Sequence, residues 1–137
     1  RGRPDHREIW PANRRVEREQ YGRIGAGDDE EDIATKFLED KGYIVLDRNY
    51  RALGTEIDII ARDKDEIVFV EVKSRNSRKY GDAYEAVTEY KMQNIIQTAT
   101  AYIMAKGLFD IMVRFDIIEV YFNEKEINHI ESAFMLS

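Results

Sequence analysis

The segment of residues 55–74, TEIDIIARDKDEIVFVEVKS, constrains the fold more than any other part of the chain. It contains two runs rich in β-branched and aromatic residues, separated by the polar pair Lys64 and Asp65. This is the pattern of two antiparallel strands joined by a tight turn. A turn at this pair sets the register of the hairpin, and that register places Asp58 opposite Glu71.

Charged residues interrupt the apolar alternation of this hairpin. Because side chains alternate between the faces of a strand, we expect Glu56 and Asp58 on one face of the first strand and Ile57 and Ile59 on the other. The register also places Glu56 opposite Lys73. Facing Cβ atoms lie about 4.5–5.5 Å apart, and like charges at that distance destabilise a sheet. The opposed acidic pair therefore needs an explanation.

Glu71 and Lys73 lie on a second strand that is otherwise almost entirely apolar. Alternation gives them the same face as Phe69, and the opposite face carries three valines, Val68, Val70 and Val72. Such a strand is typical of the centre of a sheet, where a charge without a partner is costly.

A divalent cation between the two carboxylates explains this arrangement. Mg²⁺ is held by oxygen ligands, and the chain has no cysteine and only two histidines, His6 and His129, which argues against thiolate or histidine-rich sites. Lys73 shares the face of Glu71, where an ammonium group can orient water or neutralise charge in phosphoryl chemistry. The alternative is an exposed hairpin face on which Glu56 and Lys73 form a weak surface pair.

Two helices and three further strands are predicted around the hairpin. Asp28 or Asp29 is expected to cap a helix over about residues 28–41 that ends at Gly42, and a second helix is predicted over about residues 83–106. The predicted strands are YIVLDRNYR, TEIDIIARD, EIVFVEVKS, VRFDIIEVYF and a closing INHIESAF. The order α-β-β-β-α-β predicts an α/β protein with a mixed sheet flanked by helices. The second helix is expected to contribute Tyr90, Ile95, Ile96 and Ile103 to the core.

Length and charge limit the class of protein. The 137 residues are expected to form one domain, residues 27–137, preceded by a flexible arginine-rich arm at residues 1–26. The net charge of −6 argues against a general nucleic-acid coat, although the arm holds seven arginines against four acidic residues. The apolar runs are too short to span a bilayer and no secretory pattern is visible, so we expect no membrane partner and a cytoplasmic location.

The hairpin resembles the metal site of the PD-(D/E)xK nuclease superfamily, in which an aspartate on one strand and a Glu-x-Lys on the next form the site. The chain is more closely similar to the YraN family, small bacterial proteins related to archaeal Holliday-junction resolvases. The segments that carry this similarity span about residues 27–134: EDIATKFLEDKGYIVLDRNYR, EIDIIARDKDEIVFVEVKSR, YGDAYEAVTEYKMQNI, RFDIIEV and INHIESAF.

The resemblance implies a restriction-endonuclease-like core that hydrolyses DNA phosphodiesters with Mg²⁺ or Mn²⁺. It also implies branched or junction DNA as a candidate substrate and, by analogy, a homodimer. The implied catalytic set is Glu31, Asp58, Glu71 and Lys73, whose three acids ligate metal, with Glu56 as a further metal or water ligand. The family's polar positions near substrate phosphate fall on Lys91 and Gln93.

Two positions differ from the family pattern. Glu30 stands where the family usually has glycine, which leaves open whether Glu30 or Glu31 reaches the site. Ala83 stands where proline is preferred, so the loop before the second helix is expected to be less rigid.

Basic residues are expected to form a rim around this acidic site, which would let a duplex approach an otherwise acidic protein. The rim comprises Arg51, Arg75, Arg78, Lys79 and Lys91. Each of them taken alone is better explained as a solubilising surface residue. Tyr80 and Tyr84 either stack on bases or pack beside the helix start, and packing is the commoner role.

Two further polar residues are better explained by structure than by catalysis. Asp116 is expected to be the polar side of an alternating strand or a partner for the Arg114 end of the sheet, and His129 to be a packed or capped histidine on a short apolar segment. Two other functional classes remain open from the sequence: a non-catalytic nucleic-acid-binding module with the same fold, and a domain whose acidic surface binds a basic protein.

Overall fold

The computed structural model of the chain describes residues 15–22, 27–77 and 88–134. Within these ranges the chain forms six strands and two helices. In chain order they are β1 (Arg15–Gln20), α1 (Glu30–Asp40), β2 (Ile44–Ala52), β3 (Thr55–Asp63), β4 (Glu66–Arg75), α2 (Glu89–Lys106), β5 (Met112–Tyr121) and β6 (Glu126–Phe134).

The strands form one mixed sheet in the order β1-β6-β5-β4-β3-β2. β4 and β5 are parallel, and the other neighbouring strands are antiparallel. Parallel neighbours need a crossover connection, and the chain between β4 and β5 contains α2. The predicted α/β class and mixed sheet are confirmed, and the order from α1 to β5 is the α-β-β-β-α-β of a restriction-endonuclease-like core.

A reciprocal pair of side-chain hydrogen bonds caps α1. The Asp29 carboxylate accepts from the Asp32 N–H at 2.9 Å, and the Asp32 carboxylate accepts from the Asp29 N–H at 3.2 Å. At the other end Gly42 adopts a φ of 97°, which stops the helix as predicted.

α2 begins later than the sequence pattern predicted. Thr88 has extended backbone and its hydroxyl accepts from the Lys91 N–H at 3.2 Å, so Thr88 is the cap and the helix starts at Glu89. The predicted start near residue 83 is therefore wrong, and residues 83–87 lie outside the described part of the chain.

Each face of the sheet packs against one helix. On the α2 face the cluster includes Ile57, Phe69, Phe115, Ile117, Ile95, Ala99 and Tyr102. On the α1 face it includes Ile33, Phe37, Leu38, Ile59, Val68, Val70, Val72 and Ile118. The prediction that Tyr90 joins the core is wrong, because its side chain in the first turn of α2 is 78% exposed.

An edge strand occupies part of the predicted arm. Residues 15–20 pair antiparallel with β6, from Arg15 opposite Glu131 to Gln20 opposite Glu126. These six residues therefore depart from the predicted flexible arm over residues 1–26, because the backbone groups on one edge of β1 pair with β6. Residues 1–14 and 23–26 lie outside the described ranges.

The hairpin has the predicted register, but β3 rotates at Asp58. Pairing between β3 and β4 runs from Asp63 opposite Glu66 to Ile59 opposite Val70, as the turn requires, and ends there. Ile57 packs on the α2 face and Ile59 on the α1 face, so the prediction that they share a face is wrong. Beyond Ile59, β3 no longer pairs with β4, so its side chains no longer need to alternate regularly between the two faces of the sheet.

Candidate metal centre

Asp58 lies where β3 leaves its neighbour β4. Its Oδ2 accepts a hydrogen bond from the Val72 N–H at 2.8 Å, so a side chain satisfies a backbone group beyond the end of the β3–β4 ladder. This contact holds the carboxyl group against β4, beside Glu71. The predicted proximity of the two acids is confirmed, because Asp58 bonds to Val72, the residue that follows Glu71, and the charge of Glu71 raises the pKa of Asp58.

Glu71 is a buried carboxylate with two ammonium neighbours. Its side chain is 4% exposed, and Oε2 lies 3.4 Å from Nζ of Lys73 and 3.2 Å from Nζ of Lys91. Lys73 comes from the same strand and Lys91 from the first turn of α2. The crossover helix therefore supplies one of the two cations that make the ionised form of Glu71 tolerable in a buried position.

Burial gives Asp58 an unusual affinity for its proton. Removal from water, followed by the charge of Glu71, raises the pKa of Asp58 to about 8, with a smaller contribution from the charge of Glu31. The hydrogen bond from the Val72 N–H acts in the opposite direction, because it stabilises the carboxylate. At neutral pH Asp58 therefore retains its proton unless a further cation, besides Lys73 and Lys91, lies between Asp58 and Glu71.

Glu31, and not Glu30, connects the first helix with this site. Its Oε2 accepts from Nδ2 of Asn49 at 2.9 Å, and its Oε1 lies 3.6 Å from Nη2 of Arg48. Its charge also reaches Asp58. Of the two adjacent acids, Glu31 is thus the one whose charge acts on Asp58, and its contact with Asn49 was not predicted from the sequence.

Glu56 contacts β2 and not β4. Its Oε2 lies 3.3 Å from Nε of Arg51, its partner in the β2–β3 register. The predicted pairing of Glu56 with Lys73 is wrong, because the β3–β4 ladder ends before it and the Lys73 ammonium turns to Glu71.

The residues predicted to contact nucleic acid are distributed around the carboxylate pair. Arg51 is 79% exposed on the edge strand β2, Gln93 is exposed on α2, and Arg75 ends β4. Lys91 contacts Glu71, one of the two acids of the carboxylate pair. The other predicted rim and stacking residues lie outside the described part of the chain: Arg78, Lys79, Tyr80 and Tyr84.

A second polar cluster lies on the α1 face under β5 and β6. Arg114 donates to both carboxylate oxygens of Asp116, from Nε at 2.9 Å and from Nη2 at 3.0 Å, so the predicted pairing is confirmed. His129 is fully buried, with Nε2 2.6 Å from Asp116 and Nδ1 2.6 Å from Nζ of Lys41. Burial opposes ionisation of Asp116, but His129 and Arg114 outweigh it and lower the pKa of Asp116.

This second cluster has the donor types of a metal site but already contains a cation. Glu17, His129 and Glu131 bring their ligand atoms within 4.8 Å of one another. The Lys41 ammonium contacts all three, bonding to Glu17 and His129 and lying 4.0 Å from Glu131. We therefore interpret the cluster as a structural ion network, since Lys41 supplies the compensating charge.

Comparison with known proteins gives a consistent relationship over most of the chain. The model of the uncharacterised protein family UPF0102 matches residues 30–120. A UPF0102 protein of Clostridioides difficile is 49% identical over 108 residues, which cover 79% of this chain and 95% of that protein. A UPF0102 protein of Caldanaerobacter subterraneus subsp. tengcongensis is 40% identical over 126 residues, covering 88% of this chain and 99% of that protein.

Neither helix in the described ranges combines the length and apolar character needed to cross a membrane.

Proposed function

The chain belongs to the uncharacterised protein family UPF0102, and from the arrangement of its buried carboxylates we propose that it is a metal-dependent nuclease. The proposed reaction is hydrolysis of DNA phosphodiesters, with branched DNA as a candidate substrate and a homodimer as the candidate active form. The observation that carries the proposal is the pair of Asp58 and Glu71, held together at the end of the β3–β4 ladder beside two lysines.

The residues present fit a divalent cation. Asp58 and Glu71 offer carboxylate oxygens in a buried setting, Glu31 adds a third acid near Asp58, and such ligands suit Mg²⁺ and Mn²⁺. The raised pKa of Asp58 supports the fit, because a site that retains a proton near neutral pH has room for a competing positive charge. A bound ion would polarise the scissile phosphate and make a water molecule more acidic.

Lys73 and Lys91 have different proposed roles. Lys73 lies beside Glu71 on β4, where its ammonium would orient the attacking water or donate to a phosphate oxygen as charge develops. Lys91 is part-exposed in the first turn of α2, so its ammonium would turn from Glu71 to the phosphate backbone. Asp58 and Glu71 would hold the metal, with Glu31 as a third acid.

Nucleic acid is the substrate class that the surrounding charges favour. Arg51 on β2 and Lys91 on α2 place positive charge around an acidic site on a chain of net charge −6. Local attraction of this kind steers a polyanion to one face of an acidic protein. Exposed Gln93 on the same helix offers a neutral donor for a phosphate or sugar contact.

The test combines metal binding with cleavage. Mn²⁺ would be titrated calorimetrically into the wild type, Asp58→Asn and Asp65→Asn, the last being the same substitution in the exposed turn of the same hairpin. The three proteins would then be incubated with linear, flapped and four-way DNA. We expect Mn²⁺ binding and metal-dependent nicking in the wild type and in Asp65→Asn, and neither in Asp58→Asn. A wild type that binds no Mn²⁺ at millimolar concentration and cuts nothing would overturn the proposal.

A non-catalytic nucleic-acid-binding module is the second candidate function. The observation that favours it is the double contact of Glu71 with Lys73 and Lys91, which balances much of the acidic charge without a metal. The cleavage assay, together with a gel-shift assay in EDTA, separates the two functions. A binding module would retain DNA in the gel-shift assay and leave every substrate intact in the cleavage assay.

A further inference from the structure

Asn49 has a backbone conformation that is unusual for a residue inside a strand. Its φ is 55°, in the left-handed region, which Asn tolerates better than most residues but which still costs free energy. Three of the other non-glycine residues with positive φ, Leu53, Lys64 and Lys125, lie in turns between strands. A strained position in the middle of β2 therefore calls for a compensating interaction.

The conformation of Asn49 sends two consecutive side chains to the same helix. In a regular strand the side chains of Arg48 and Asn49 would point to opposite faces. Here Nη2 of Arg48 donates to Asp32 at 3.0 Å and lies 3.6 Å from Glu31, while Nδ2 of Asn49 donates to Glu31 at 2.9 Å. Both reach the first turn of α1, so the break in alternation brings the Asn49 amide to the Glu31 carboxylate.

The sheet register also places Asn49 near one acid of the carboxylate pair. The β2–β3 register pairs Arg48 with Ile59 and Tyr50 with Ile57, which leaves Asn49 across from Asp58. Asn49, which interrupts the regular backbone of β2, thus faces Asp58, at which β3 rotates. Glu31, held by Asn49, carries its charge close to Asp58.

We propose that Asn49 is a positioning residue, which fixes the Glu31 carboxylate toward Asp58 and Glu71 so that a divalent cation meets three acids. The inference rests on the proposed nuclease function and deepens it. The amide donates to Oε2 of Glu31, and Oε1, which lies 3.6 Å from Nη2 of Arg48, would be the oxygen that meets a metal or a bound water. Groups that orient metal ligands in this way raise metal affinity without touching the ion.

The experiment distinguishes the effect of losing the Asn49 amide from the effect of changing the backbone conformation at this position. Asn49→Gly adopts the left-handed conformation freely but lacks the amide, and Lys64→Gly makes the same change at a positive-φ residue in the β3–β4 turn. We expect Asn49→Gly to weaken Mn²⁺ binding by about 10- to 100-fold in calorimetry, and Lys64→Gly to leave it unchanged.

A double-mutant cycle identifies the partner of Asn49. In a Glu31→Ala background, Asn49→Gly should have no further effect on Mn²⁺ affinity, because the carboxylate that it positions is gone. Wild-type affinity in Asn49→Gly, with Asp58→Asn still abolishing binding, would overturn the inference and leave the proposed function standing. An equal loss in the Glu31→Ala background would also overturn it. A wild type that binds no Mn²⁺ would overturn the proposed function and this inference together.

Discussion

The Asp58 carboxylate accepts a hydrogen bond from the Val72 N–H at 2.8 Å, just past the last paired residues of β3 and β4. A side chain thus satisfies a backbone donor at the place where the two strands part. The contact fixes a titratable group in a buried position between the two strands. Ionisation of this group therefore costs free energy.

Stability of the metal-free protein should fall with rising pH because of Asp58. Burial and Glu71 raise its pKa to about 8 from an ordinary value of 3.8, so between these values the folded state binds a proton that the unfolded chain has lost. The free energy of unfolding therefore decreases over this window, by up to about 1.4 kcal/mol per pH unit. Asp58→Asn cannot ionise, and its advantage over the wild type should grow from pH 5 to pH 8. Urea unfolding in EDTA measures this difference, and a constant difference across that range would contradict the prediction.

Lys73→Met should separate chemistry from metal binding. The ammonium contacts Glu71 and is no metal ligand, so Mn²⁺ affinity should stay within a few-fold of wild type while the cleavage rate falls by about 100-fold or more. Single-turnover cleavage beside calorimetry gives both quantities. Lys64→Met, in the exposed turn, is the control, and a Lys73→Met enzyme that cuts at the wild-type rate would remove Lys73 from the mechanism.

Lys91→Gln should weaken DNA binding in a salt-dependent manner. If its ammonium meets a phosphate, the variant loses about one unit from the slope of log affinity against log salt. Fluorescence anisotropy at several salt concentrations in Ca²⁺ or EDTA measures this without cleavage. Lys106→Gln removes the same charge from the last turn of the same helix and should leave the slope unchanged. An unchanged slope in Lys91→Gln would confine Lys91 to its contact with Glu71.

Asp116→Asn should be strongly destabilising without acting on the metal site. Asp116 is fully buried, balances the Arg114 guanidinium and hydrogen-bonds to His129, so its loss leaves the buried charge of Arg114 with weaker compensation. We expect a decrease of about 3–5 kcal/mol in the free energy of unfolding, against a negligible change for the exposed Asp110→Asn. Urea unfolding tests this, and a loss below 1 kcal/mol would show that the cluster relaxes around the change.

The strands of the hairpin were predictable because their information is local. The bounds of β3 matched the predicted segment, and the turn at Lys64 and Asp65 set a register that the structure confirms from Ile59 to Asp63. Alternation of apolar residues and a two-residue turn depend only on neighbours in sequence. The same local information predicts that Asp58 and Glu71 lie close together.

The missed features depend on contacts distant in sequence. β1 reads RVEREQ, with one apolar residue, and exists because β6 offers it a partner. The rotation of β3 at Asp58 follows from where the β3–β4 ladder ends, which no alternation pattern records. The role of Asn49 needs both its left-handed backbone and a helix that begins 19 residues earlier, at Glu30. Local sequence rules do not contain these relationships.

The parallel pairing of β4 with β5 also bears on the order in which the site assembles during folding. The β3–β4 hairpin closes over a two-residue turn, whereas β5 docks only after the chain has passed through α2. Short closures form in microseconds and long crossovers later, because loop entropy opposes them. Asp58 and Glu71 thus meet early in a nascent hairpin, and Lys91 arrives only with the crossover. Until then the acidic pair is a locally repulsive element, and divalent ions or low pH should speed this early step of refolding.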